Sequence, residues 1–158
     1  MFLSFFASGI FDFILLVIVI IIIITVASIL IVRDLKMEFK KVFKIRSRFH
    51  IEIRKIVNLI YKIYNSDILE PFTKVVIKNL PHEEKKILLK NIDLVFSEIN
   101  VEDLENKYII ETYENLQKLR RERDAKIIVY NHKLETFPFS VYTKIMKLNK
   151  YELYTEKE

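Results

Sequence analysis

Hydrophobic and polar positions along this chain fall into two regimes. From Phe13 to Val32 no charge interrupts the run FILLVIVIIIIITVASILIV, and 17 of its 20 residues are Phe, Ile, Leu or Val. A helix of that length rises about 30 Å, the thickness of a bilayer's hydrocarbon core. Thr25 and Ser28 can bond back to carbonyls of their own helix, so they cost little in lipid. Past Arg33 the apolar positions recur in steps of three and four. Leu35, Phe39, Val42, Phe49, Ile53, Ile56, Ile60 and Ile63 keep one helical face, with Arg46 as the polar break. No Gly or Pro lies between Asp12 and Glu70, so one helix is expected to run on until the turn formers Asn65-Ser66-Asp67.

The same rules predict the rest. Pro71 suits a first helical turn, and Phe72, Val75, Val76 and Leu80 offer a short apolar face. Pro81, with Glu83 and Glu84 near the positive end of the dipole, opens a helix carrying Ile87, Leu88, Leu94, Val95 and Ile99. Asn100 reads as the N-cap of the last long helix. That helix has the seam Ile109, Tyr113, Leu116, Ile127, Tyr130, Leu134 and Phe137, with Arg120 and Arg123 on the same lattice. Pro138 stops it. Residues 139–150 form a basic amphipathic stretch, and Tyr151 to Glu158 a polar tail expected to fray.

The predicted fold class is all-α. A single N-terminal transmembrane helix (span 13–32) continues into a cytoplasmic antiparallel helical bundle over 33–138, followed by the segment 139–158. Separate helices at Pro71 and Pro81 give four members, with the last descending towards the membrane. A single kinked middle helix gives three and leaves Pro138 far from the bilayer. In the four-helix case 139–150 is either an interfacial helix or a cap on the bundle core.

Charge sets the orientation. Residues 33–52 hold seven Lys and Arg, Arg33, Lys36, Lys40 and Lys41 nearest the span, whereas residues 1–12 hold none. The positive-inside rule places the body in the cytoplasm and the short N-terminal end outside. A cleaved secretory signal fits poorly. No basic residue precedes the apolar run, the run is long, and no A-x-A site follows. Within the body, residues 33–62 carry +7, residues 63–105 carry −4 and residues 106–158 carry +3. An acidic middle between basic ends suits packed, complementary helices.

Composition removes many chemistries. One Gly excludes Gly-cradled phosphate loops, and zero Cys excludes disulfides, thiolate metal sites and a Cys nucleophile. His50, His82 and His132 sit on three different elements and belong to no Glu-x-x-His pair and no H-E-x-x-H motif, so no metal or cofactor is predicted. Ser47, Ser66, Ser97 and Ser140 sit in no nucleophile motif. Lys40-Lys41 and Arg120-Arg121 do not make a basic stripe, which argues against nucleic acid.

Arg120-Arg121 followed by Tyr130-Asn131-His132-Lys133-Leu134-Glu135-Thr136-Phe137-Pro138 resembles the end of the LemA family. Members of that family close their last long helix with Tyr-Asn, an apolar residue, an acid and Phe-Pro. An aromatic-acidic tail follows, much like Tyr151-Glu152-Leu153-Tyr154. Arg123 and Asp124 stand where the family usually has a second Tyr-Asn pair. The resemblance implies a membrane-anchored helical bundle, with Arg120, Arg121, Tyr130, Asn131, Leu134, Glu135, Phe137 and Pro138 as motif residues and no established reaction. The expected function is non-enzymatic: binding or scaffolding at the cytoplasmic face of the cell membrane, with the bilayer and a protein as partners. The alternatives are an enzyme or enzyme regulator built from polar bundle residues, and an anionic-lipid or nucleic-acid binder using the basic ends.

Overall fold

The computed structural model describes residues 2–100, 103 and 106–155, with the backbone alone over 2–10. It is helical throughout its regular elements. Helix α1 runs unbroken over Phe2–Tyr64, α2 is a single turn at Glu70–Thr73, a 3-10 turn spans Ile77–Asn79, α3 covers His82–Ser97, α4 covers Lys107–Glu135 and α5 covers Phe139–Ile145. Among the described residues one helix, α1, is long and apolar enough to cross a membrane. Thr25 and Ser28 do bond back within it, to the carbonyls of Ile21 (2.8 Å) and Ile24 (2.7 Å).

Two lengths of α1 differ in what covers them. From Phe13 to Leu30 every large apolar side chain is exposed. From Leu35 to Ile60 the apolar seam is buried apart from half-buried Phe39, and Val42, Phe49, Ile53, Ile56 and Ile60 are closed from solvent. Ile45 and Val57 join it, so the stripe is wider than the predicted one. Ile63 does not, because the chain leaves the helix at Asn65, whose positive φ of 47° suits an Asn.

Helix α4 lies antiparallel along α1. Tyr64 bonds Asn106 at one end, Arg123 stands over Phe49 midway, and Lys133 pairs with Asp34 at 2.6 Å near the other. The predicted seam Ile109, Leu116, Ile127, Tyr130 and Leu134 is buried. Phe137, predicted to pack beside Tyr130 and Leu134, is instead 80% exposed, because the helix has ended and Thr136 has turned extended.

The middle of the chain follows neither of the two predicted layouts. Among the described residues only α3 is a sizeable helix there. The return from the far end of α1 is made by the irregular segment 65–81, pinned where Arg54 donates to the carbonyls of Phe72, Thr73 and Val75. Val75 and Val76 are therefore exposed rather than on an apolar face, and Leu69 and Ile77 fill the core instead. The three long helices are thus α1, α3 and α4, with α4 antiparallel to α1. In α3 the buried side is Leu88, Leu89, Ile92 and Val95, and Ile87 and Leu94 face outwards. Helix α4 is entered at Asn106, not Asn100; Val101, Glu102, Leu104 and Glu105 lie outside the described residues.

Helix α5 packs back on α1. Phe139, Tyr142, Met146 and Leu148 join Ile31, Leu35, Val42 and Tyr130 in a second core cluster, and the Tyr142 hydroxyl meets Ser28 Oγ at 2.5 Å. On its other side Val141 and Ile145, four apart, are exposed, as is Phe137 just before the helix.

Candidate functional site

The polar concentration of the molecule lies where the C-terminal segment crosses α1, α3 and α4. Of the tail expected to fray, residues 151–155 are instead laid across the bundle, with Tyr154 4% exposed, and residues 156–158 lie outside the described residues. The local reason is a set of α4 side chains that match a chain without secondary structure of its own. Asn131 makes a two-way pair with Tyr151, donating to its carbonyl (2.7 Å) and accepting from its N–H (3.0 Å). Arg123 donates to the Glu152 carbonyl (2.9 Å), and Arg120 to the Tyr154 carbonyl (3.0 Å). Asp124 Oδ2 accepts from the N–H of Tyr154 (3.0 Å), the N–H of Thr155 (2.7 Å) and the Thr155 hydroxyl (2.8 Å). Its Oδ1 accepts from Arg123. A buried backbone needs partners, and here side chains supply what a ladder otherwise would.

Aromatic contacts complete the docking. The Tyr154 ring stacks on His82 at 4.5 Å and 9°, and leans on Phe49. The Arg123 guanidinium lies 4.0 Å from the Tyr154 ring centroid, and Arg46 lies 4.3 Å from that of Tyr151. Such stacking of a partly desolvated cation on an aromatic face is attractive.

Beside the docked segment is a cavity of about 340 Å³. It is lined by Arg46, Lys78, Leu80, His82, Lys85, Arg123, Lys150, Tyr151, Glu152 and Tyr154, so cations dominate its rim and walls. Their crowding is visible in the proton equilibria. Burial lowers the pKa of His50 to about 4, helped by the neighbouring charges of Lys85, Arg46, Arg123 and Lys78. Burial also lowers Lys85 and Arg123, and Arg46 repels both. Burial lowers His82, against the opposing pull of Glu152.

The motif residues divide by what they touch. Arg120 also pairs with Asp93 (3.2 Å), which accepts from Tyr113 and Gln117 as well. Tyr130 is buried against Phe39 and Tyr151, and burial pushes its hydroxyl up to about 12. Leu134 is core, and exposed Glu135 pairs with Lys150. Arg121 and Phe137 are exposed, and Pro138 is half-buried at the start of α5. Arg33, Lys36 and Lys40 are exposed along a groove that also includes Ser28, Ile29, Val32 and Met37, whereas Lys41 pairs with Glu38 at 2.8 Å.

Sequence reasoning missed Arg123, Asp124, Tyr154 and the cavity. A signal existed: two arginines on an apolar seam, with aromatics in a short polar tail. It also missed a cluster in which His82, Glu83 and Glu152 place ligand atoms within 4.8 Å of one another. Both carboxylates are exposed, and His82 Nε2 already faces the Leu153 carbonyl at 3.2 Å. No protein-family model, curated protein or solved structure matches the chain.

Proposed function

We propose that this is a single-pass membrane protein of LemA type, with its N-terminal end outside and its bundle at the cytoplasmic face, acting as a non-enzymatic binding or scaffolding protein. The observation that carries the reading is the contrast along α1. An all-round apolar length with exposed side chains passes without a break into a length whose seam is buried from Val42 to Ile60. An apolar helix that its own chain leaves uncovered suits lipid as its solvent.

Two further features support it. The flank beyond Val32 is basic and that before Phe13 is not. In addition, α5 docks against Ser28 and Ile31, at the end of the apolar run, which would hold the bundle against the membrane surface. Helix α5 then has two faces with two tasks. Tyr142 and Met146 cap the bundle core, while Val141 and Ile145, with Phe137 just before the helix, are free to enter the headgroup zone, flanked by Lys144 and Lys147. The LemA assignment rests on the stretch Tyr130 to Pro138, whose Tyr130, Asn131 and Glu135, with Arg120, all contact the C-terminal segment or the residue preceding it.

The test is a pair of fusions after Glu158. A reporter active only outside the cell should be silent and a cytoplasm-active reporter should be on. The reverse pattern overturns the orientation, and recovery of the fusion in the soluble fraction overturns the anchor.

A further inference from the structure

Among the described residues, the cavity under the C-terminal segment holds more positive charge than its neighbours neutralise. Among its cations, Arg123 is paired with Asp124 and Lys150 with Glu135. Arg46, Lys78 and Lys85 have no carboxylate within ion-pair distance among the described residues. Arg46 rests on the Tyr151 ring and Lys85 Nζ donates to the Lys78 carbonyl at 3.1 Å. Lys85 is 5% exposed and Arg123 3% exposed, so two of the charges are held away from water. The buried Nε–H of Arg123 has no acceptor. Among the described residues Glu152 is the one carboxylate on the lining, and it faces His82 at 3.4 Å from an exposed position.

Buried like charges repel, and each costs free energy unless a counter-charge joins it. We propose that this cavity binds a small soluble phosphate-bearing anion, with Arg46, Lys78 and Lys85 as its ligands and Arg123 as the charge behind them. Three uncompensated cations beside one carboxylate match a dianionic group better than a single carboxylate. Guanidinium and ammonium donors from three different elements suit the several oxygens of a phosphate. The volume, about 340 Å³, lies at the lower end of small-ligand pockets and admits a phosphate monoester or a diphosphate.

The source is soluble because of height. Arg46 lies about 14 residues along α1 beyond Val32, or roughly 21 Å of rise. A headgroup layer adds only about 5 to 8 Å to the hydrocarbon core on each side. A lipid phosphate therefore stays below the cavity. This last step rests on the membrane reading above, whereas the anion site itself does not.

The test uses the full chain in a non-ionic detergent, titrated with inorganic phosphate and with pyrophosphate at ionic strength held constant with chloride. Binding should saturate, with pyrophosphate tighter. Lys78 is exposed, so Lys78→Gln leaves the fold intact and should weaken binding about tenfold, the loss of one charge-assisted hydrogen bond. Lys144→Gln, on α5 away from the cavity, should leave affinity unchanged. The His50 ring proton signals give an independent reading: its pKa, about 4 without ligand, should rise as phosphate saturates, because the bound anion offsets the four cations around it. No saturable response, an equal response to chloride, or an unchanged affinity in Lys78→Gln overturns the site. In nanodiscs, the same His50 shift on adding phosphate to neutral and to phosphatidylserine bilayers supports the soluble source. A shift produced by phosphatidylserine alone overturns it while leaving the cation site standing.

Discussion

Replacing Asp124 with Asn is the sharpest probe of how the C-terminal segment is held. The carboxylate is buried, accepts three hydrogen bonds from Tyr154 and Thr155, and carries the charge that balances Arg123. Asn keeps the shape and one acceptor but removes the charge. Arg123, at 3% exposed, then stays buried with no counter-ion. Breaking one side of a buried pair costs about 3 to 5 kcal/mol. Whole domains are stable by about 5 to 15 kcal/mol, so the loss is a large share. For a body of this size it corresponds to roughly 10 to 20 °C in Tm. Thermal unfolding in detergent, followed by circular dichroism, reads the loss. Amide hydrogen exchange at Tyr154 and Thr155 reads its place, since those two N–H groups lose their charged acceptor. A loss under about 1 kcal/mol, the range of a solvent-exposed ion pair, would refute the reasoning, because it would mean that water reaches Arg123.

Other outcomes follow from burial and charge. Ile56→Ala should cost about 2 to 5 kcal/mol, whereas Ile87→Ala, on the outer side of α3, should cost under about 0.5 kcal/mol; equal losses in denaturant melts would mean the faces are misassigned. His50 has a folded pKa near 4, below its unfolded value near 6.5, so the unfolded chain takes up the proton first as pH falls. Its contribution to stability is therefore full above about pH 6.5 and is lost between there and pH 4, and His50→Gln should flatten that part of a pH–stability curve. Fluorescent labels on α5 should separate its two sides: Ile145, 71% exposed, should be quenched from lipid, and Met146 should be shielded from both lipid and water quenchers. Water quenching of both would place α5 away from the bilayer and outside the core.

The seams of α1 and α4 were readable because burial there is set by period alone. Val42, Phe49, Ile53 and Ile60 on one helix, and Leu116, Ile127 and Leu134 on the other, need only a helix and a neighbour. Helix α3 was half readable. Leu88, Leu89, Ile92 and Val95 form as good a lattice as the predicted set, and the choice between them depends on which neighbour is present. The docked segment was not readable. Its partners are distant in sequence, and its backbone is satisfied by Asn131, Arg120, Arg123 and Asp124 rather than by a local pattern. Arg123 and Asp124 looked like a departure from the family motif, yet they are what binds the tail. Polar residues on an apolar face mark an unseen partner for which no periodicity exists.

The unbroken course of α1 makes it a lever. It has no Gly or Pro after Gly9, so between Phe11 and Tyr64 nothing in it serves as a hinge. From Val32 to Tyr64 the arm is about 48 Å long. A tilt of about 20°, ordinary for a spanning helix, would carry its far end sideways by roughly 16 Å, and the cavity at Arg46 by less than half as much. Rotation is transmitted in the same way. One residue inserted at the Val32–Arg33 junction would turn the span by about 100° against the bundle and swing the Ser28 hydroxyl away from Tyr142. With α1 spanning a bilayer as proposed, a thinner bilayer or a partner helix that reoriented it would therefore be felt, as displacement, at the remote end of the body.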